Sequence, residues 1–232
     1  MASDGYFRES VKNTTGAGID NFSLSFSLGH IIFDDGYSFL EKVMLNPSYE
    51  YGVPKYYDVL NTINKVPGGK IHIYGRYWHG NVFFLKIAHI WFDLEDIRII
   101  NLILQNLLLL AVLYLICKKL NIFYALSYLM AIIFMNPVTL AYSLPYSPIC
   151  YLMYIFLILI LLLDKRYIDW KLFLVFGCCT SFLDLLTFPL VVLCFSLLLM
   201  INIYHQNLIQ DIKKNYRLFF VLGVWIFRFM DV

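Results

Sequence analysis

Charged residues are scarce in this chain. Asp, Glu, Lys and Arg together make up 15% of its 232 residues and hydrophobic residues make up 60%, whereas a soluble domain has about 25% charged and about 45–50% apolar residues. A water-soluble fold of this length has too little interior to bury that much apolar surface. The composition therefore predicts an integral membrane protein.

The formal net charge is only +2 and the basic residues lie in short clusters, so the sequence predicts no nucleic-acid partner.

Cysteine is absent from the polar first part of the chain, where a disulfide framework or a zinc site would be expected. All five cysteines lie within or beside apolar runs: Cys117, Cys150, Cys178, Cys179 and Cys194. We interpret them as small packing residues. His72, His79 and His89 lack the spacing of metal ligands. The sequence therefore identifies no metal site from them, and it leaves open both the cofactor and whether a divalent metal is needed.

Apolar runs fill the second part of the chain. The first of them, residues 99–117, is long enough to cross a hydrocarbon core of about 30 Å. The other runs are residues 120–135, 149–163, 172–188, 189–204 and a short stretch at 218–227. We therefore expect an all-α transmembrane bundle of about five to six spans over residues 99–232. A small external α+β segment, residues 1–98, precedes it.

Basic residues distinguish the two sides of this predicted bundle. They occupy alternate connections between the apolar runs: Lys118, Lys119, Lys165, Arg166, Lys171, Lys213, Lys214 and Arg217. Such connections stay in the cytosol, so residues 1–98 are expected on the extracytoplasmic side of a multi-pass protein of the cell membrane. Neither a signal-peptide core nor an earlier span precedes that segment. We therefore expect a fragment of a longer polytopic protein; the alternative is a complete short protein with an interfacial last helix.

Local patterns predict short elements in the external segment. Residues 37–45 are expected to form an amphipathic helix with Asp35 as its N-cap. Residues 70–74 alternate and predict a strand. Residues 81–92 predict an apolar helix that is too short to span and lies in the outer interface.

An aromatic and basic cluster (YGRYWHG, residues 74–80) precedes that apolar helix. Tyr77 and Trp78 fit a plain anchoring role, because their rings favour the headgroup level. Arg76 and His79 suggest that the cluster also binds a lipid phosphate. A guanidinium forks onto phosphate oxygens and an imidazole relays a proton, and both would lie at the level of a lipid phosphate.

Polar side chains also occur inside the predicted spans. Arg98, Asn101 and Gln105 share one face of the first span, and Asp184 lies near the external end of the fourth. One interpretation is structural: hydrogen bonds between helices, with Asp184 paired to Arg98. The other is the wall of an outward-facing cavity in which Arg98 receives an anionic group.

These motifs together carry a family resemblance. The order of an external acidic segment, the YGRYWHG cluster, IRIIN at residues 97–101 and TSFLD at residues 180–184 resembles uncharacterised bacterial polytopic membrane proteins. Those proteins look like the GT-C class of membrane glycosyltransferases. The resemblance implies a polyprenyl-phosphate sugar donor, used on the outer face of the membrane. It also implies an acidic base in the first external loop and basic residues that hold the donor phosphate.

Carried onto this sequence, the resemblance implies Asp20, or the pair Asp34 and Asp35, as the catalytic base. A carboxylate would deprotonate the acceptor hydroxyl and a cation would stabilise the departing phosphate. Helix capping or a solvated turn is the alternative for Asp34 and Asp35. Two other functions fit the same features: a transporter or flippase for lipid-linked saccharides, and a non-catalytic truncated product. The sequence leaves the sugar and the acceptor open.

Overall fold

The computed structural model describes residues 21–34, 36–74, 80–183 and 189–214. In chain order its elements are α1 (Asn21–Ile32), α2 (Phe39–Leu45), β1 (Pro47–Glu50), α3 (Lys55–Ile63), β2 (Lys70–Ile73), α4 (Gly80–Ala88), α5 (Leu94–Lys119), α6 (Ile122–Phe134), α7 (Pro137–Tyr142), α8 (Ser147–Leu162), α9 (Trp170–Leu183) and α10 (Pro189–Lys214). The described part of the chain is thus mainly helical, with one small sheet.

The chain divides into two compact units. The first contains the described residues up to Leu104, together with Phe134–Pro148 and residues 182–183. The second contains Gln105–Ile133, Ile149–Ser181 and the described residues from Pro189 onward. Helix α5 therefore contributes its first part to one unit and its remainder to the other. The predicted division at residue 98 concerns the two sides of a membrane and stays a prediction.

In the first unit, α1 is the central element. It packs against α3, α4 and β1, and Leu24 of α1 joins Leu85, Ile97 and Leu144 in one hydrophobic cluster. Strands β1 and β2 pair antiparallel, with Pro47–Glu50 running opposite Ile73–Lys70. The predicted strand at residues 70–74 is thereby confirmed as β2, and β1 is its partner.

The start of α2 differs from the prediction. Ser38, not Asp35, is its N-cap: the Ser38 hydroxyl accepts a hydrogen bond from the Glu41 backbone N–H at 3.3 Å. The Glu41 carboxylate in turn accepts one from the Ser38 N–H at 2.8 Å. This reciprocal pair is a capping box, which satisfies two N–H groups at the helix start. Position 35 itself lies outside the described residues, and the helix begins at Phe39.

Where the structure describes the predicted apolar runs they are helices, but most are short; residues 184–188 and the stretch at 218–227 lie outside the described residues. Among the described residues, α5 is the one helix long and apolar enough to cross a membrane, with 26 residues. Helices α6, α8 and α9 have 13 to 16 residues, which corresponds to about 20–24 Å at 1.5 Å per residue. The helical class is therefore confirmed, whereas five to six spans stay a prediction.

Aromatic rings pack together within the mainly aliphatic core of the second unit. The Phe156 ring stacks on Phe176 with centroids 4.0 Å apart and meets Phe173 edge-on at 4.9 Å. Lys119 donates to the Leu161 carbonyl at 2.8 Å, so a cation satisfies an acceptor near the end of α8. Of the five cysteines, Cys150 is buried, Cys179 is partly buried, and those at positions 117, 178 and 194 are exposed, so a packing role inside the protein fits the first two.

Candidate functional site

The predicted site residues fall into two groups. Five lie outside the described residues: Asp20, Asp35, Arg76, His79 and Asp184. Their roles, including the pairing of Asp184 with Arg98, stay predictions. The other four are described: Asp34, Arg98, Asn101 and Gln105.

Arg98 lies in the second turn of α5 and is 5% exposed. Its Nη1 atom donates to the Glu95 carboxylate at 2.8 Å, and that carboxylate is 43% exposed. The Arg98 Nε–H has no hydrogen-bond partner within residues 21–34, 36–74, 80–183 and 189–214. A buried charge is unfavourable unless it is paired and hydrogen-bonded. Arg98 therefore has one ion-pair partner and one open donor, an arrangement suited to a second anionic group.

Asn101 makes a different set of contacts. Its amide nitrogen donates to the Ala141 carbonyl and to the Ser147 hydroxyl at 2.6 Å. The Ser147 hydroxyl donates onward to the Leu140 carbonyl at 3.2 Å. These bonds connect α5 to α7 and to the start of α8, as interhelical hydrogen bonding requires. A substrate contact by Asn101 stays a prediction.

Gln105 is also buried, 3% exposed, so all three members of the predicted polar stripe face inward on α5. The spacing of three and four residues is confirmed as one face of a helix. That face is packed by protein and does not line an open surface. The outward-facing cavity predicted from the same spacing stays a prediction.

Asp34 belongs to a charged group that the sequence did not indicate. Its side chain is 99% exposed and forms an ion pair with Lys42, whose ammonium nitrogen lies 3.4 Å from the Asp34 carboxylate. The Lys42 side chain itself is only 15% exposed. Helix α2 packs against α4, which brings Lys86 within the field of both groups. Burial lowers the pKa of Lys86, the Lys42 charge lowers it further, and the Asp34 carboxylate opposes both effects. We call Asp34, Lys42 and Lys86 the lysine cluster.

A second polar group holds the sheet of the first unit in place. The Lys55 ammonium lies 2.9 Å from the Glu50 carboxylate and 3.7 Å from Asp58, and it lies over the Phe26 ring at 5.9 Å. His30 contacts the Pro47 carbonyl through Nδ1 at 3.0 Å. The carbonyl can only accept, so Nδ1 carries the proton. These bonds join α1, α3 and β1, and their role is structural.

The described residues contain no group of three or more His, Cys, Asp or Glu side chains that could hold a metal ion. Comparison with known proteins adds no assignment. No protein-family model, curated protein or solved structure matches the chain. Arg98 and the lysine cluster are therefore the described groups whose chemistry bears on function.

Proposed function

We propose that this chain is a GT-C-like membrane protein that transfers a sugar from a polyprenyl-phosphate donor on the outer face of the membrane. Its partners in this proposal are the lipid bilayer and the polyprenyl-phosphate-linked sugar. The observation that carries the proposal is Arg98: a buried guanidinium with an open Nε–H donor, in the second turn of a span-length apolar helix.

The membrane part of the proposal rests on α5. Four large side chains of this helix (Ile103, Leu107, Leu110 and Tyr114) are each more than half exposed. They recur at intervals of three and four residues and so form one apolar stripe. Acyl chains are the surroundings that such a stripe fits. We extend this topology to five to six spans, with shorter helices accommodated by local thinning of the bilayer.

The donor phosphate is placed at Arg98. With the basic connections in the cytosol, the first turns of α5 lie at the outer headgroup level. A phosphate there would accept from Nε of Arg98, and the guanidinium would stabilise the charge that develops on the departing phosphate. Glu95 competes for the same guanidinium, so donor binding displaces or shares that ion pair.

Asp34 is the described candidate for the base. Its carboxylate is open to solvent and can accept a proton from an acceptor hydroxyl, while Lys42 holds it in place. Asp20 and Asp35 remain the other candidates for this role. Arg76, His79 and Asp184 remain candidates for holding the donor.

Donor binding is the first test. The full chain, reconstituted in liposomes, is titrated with polyprenyl phosphate. Arg98→Ala is expected to weaken binding by about tenfold or more, because a hydrogen bond to a charged group contributes about 1.5–3 kcal/mol. Arg98→Lys keeps the positive charge but loses the planar pair of N–H donors of the guanidinium, so we expect it to bind polyprenyl phosphate more tightly than Arg98→Ala and less tightly than the unaltered chain. Lys118→Ala, at the other end of α5, is the matched control.

Sugar transfer is the second test. A panel of polyprenyl-phosphate hexoses is supplied to the same liposomes, and Asp34→Asn is expected to stop transfer while polyprenyl phosphate still binds. Full transfer in the Asp20, Asp34, Asp35 and Arg98 variants alike would end the glycosyltransferase assignment. Movement of the donor across the bilayer without transfer would instead favour the transporter alternative.

In the binding test, polyprenyl phosphate that binds Arg98→Ala as tightly as the unaltered chain would contradict the proposed phosphate site at Arg98.

A further inference from the structure

An apolar surface lies beside the lysine cluster in the first unit. Four large side chains of α4 and the turn that follows it form this surface, which we call the α4 patch: Phe84, Ile87, Ile90 and Trp91. Their exposed fractions are 54%, 40%, 67% and 71%. Large side chains this exposed and this close in sequence mark an interaction surface.

The charges beside the patch indicate what covers it. Lys86 lies on α4 itself, and Lys42 lies on α2, which packs against α4. Lys42 pairs with the Asp34 carboxylate, which is almost fully exposed, and the charges of both groups act on Lys86. The cluster thus has two cations and one anion, a formal net charge of about +1. Two cations held close together repel each other, and an added anion relieves that repulsion.

A phospholipid satisfies both features at once. Its phosphate is an anion that two ammonium groups can bind, and its acyl chains fit exposed aromatic and aliphatic side chains. A protein partner would have to supply an acidic group beside an apolar one, whereas every anionic phospholipid has that combination. The long stems of the lysines can also lie along apolar surface while their charges reach the headgroup.

We propose that Lys42 and Lys86 bind the phosphate of an anionic membrane phospholipid whose acyl chains lie against the α4 patch. This inference rests on different residues from the donor site at Arg98 and does not depend on sugar transfer. Asp34 is the competing anion in this site. Its removal therefore strengthens lipid binding, a sign opposite to that expected from loss of a supporting contact.

The test measures binding of three soluble probes to the purified full chain in detergent, by microscale thermophoresis. Dioctanoyl phosphatidic acid carries the phosphate and the chains, dioctanoyl phosphatidylcholine has the same chains with no net charge, and inorganic phosphate has no chains. We expect phosphatidic acid to bind most tightly. Lys42→Ala and Lys86→Ala each weaken it by about fivefold, the contribution of one cation near an anionic lipid surface.

Matched variants separate the site from general charge and from folding. Lys70→Ala removes an exposed lysine on β2 of the same unit and is expected to leave phosphatidic acid binding unchanged. Lys86→Arg keeps the charge and restores binding, which excludes a folding defect as the cause of the loss. Asp34→Asn tightens binding by about two- to fivefold as its competing charge is removed.

Three results would overturn the inference. The first is equal affinity for phosphatidic acid and phosphatidylcholine in the unaltered chain. The second is a loss in Lys70→Ala as large as in the cluster variants, which would indicate a general charge effect. The third is displacement of phosphatidic acid by inorganic phosphate at equal concentration, which would assign the lysines to a free phosphate and leave the α4 patch without a role.

Discussion

Acid is expected to loosen the first unit through His30. This side chain is 3% exposed, and burial lowers its pKa from 6.5 to about 4, with the Lys55 and His72 charges adding to the effect and the Pro47 hydrogen bond opposing it. Above pH 6.5 the imidazole is neutral in both the folded and the unfolded chain. Between pH 6.5 and pH 4 His30 is protonated in the unfolded chain and neutral in the folded chain. The free energy of unfolding therefore falls as the pH falls.

The size of the effect follows from the two pKa values. At pH 5 the free energy of unfolding is expected to be lower than at pH 8 by about 2 kcal/mol, and the loss approaches about 3 kcal/mol near pH 4. Carboxylates contribute to the same acid dependence: the pKa of Glu50 is lowered by its hydrogen bond to Lys55, so the stability that it contributes is also lost as the pH falls. A variant is therefore needed to separate the histidine from the carboxylates.

Hydrogen exchange of the α1 and β1 amides provides the assay. Opening free energies of the full chain in detergent are compared at pH 8 and pH 5, after correction for intrinsic exchange rates. In His30→Gln the difference between the two pH values should shrink by about 2 kcal/mol, even where the variant is less stable at both. An unchanged pH dependence in His30→Gln would refute the assignment and point to the carboxylates.

Three further substitutions test the packing and hydrogen bonds of the first unit. Gly80→Ala places a methyl group 2.5 Å from the Phe182 ring and 2.6 Å from its carbonyl, so we expect a loss of about 1–3 kcal/mol in thermal unfolding; Gly29→Ala, whose nearest contact is 3.7 Å, should be tolerated. Asn101→Ala leaves a buried carbonyl and hydroxyl without their donor and should cost about 1–3 kcal/mol in the same assay. Ser38→Ala removes the capping box and should speed hydrogen exchange in α2 by about fivefold, for a cap worth about 1 kcal/mol.

Local signals explain which elements could be predicted from the sequence. The apolar helices were predictable because Pro or charged residues bound each run, as Lys118 and Lys119 do at the end of α5. Helix α1 was not predictable in this way. Its residues alternate Ser with Leu or Phe over positions 23–28, a period typical of a strand. Ser25, Ser27 and Leu24 are all buried, because neighbouring elements surround this helix and remove any single apolar face.

The candidate site was predictable only in part, for a related reason. The face shared by Arg98, Asn101 and Gln105 follows from helical spacing, which is local. Lys42 and Lys86 lie on separate helices, and their charges interact because α2 packs against α4. The single sequence signal for this cluster is a lysine inside an otherwise apolar helix, and it does not identify the partner.

The burial pattern of α5 favours a membrane span over the core helix of a soluble protein, a choice that hydropathy alone does not make. A core helix of this composition would be mostly buried, whereas 28% of the most apolar window of α5 is buried. The polar stripe faces inward while Ile103, Leu107, Leu110 and Tyr114 face outward. These four side chains are 54–64% exposed, so leaving them in water would forgo about 4–7 kcal/mol of burial, a large share of the stability of a typical domain, about 5–15 kcal/mol. In lipid that cost disappears. The inward position of the polar stripe is then favourable as well, because polar side chains that faced the acyl chains would find no water to hydrogen-bond with.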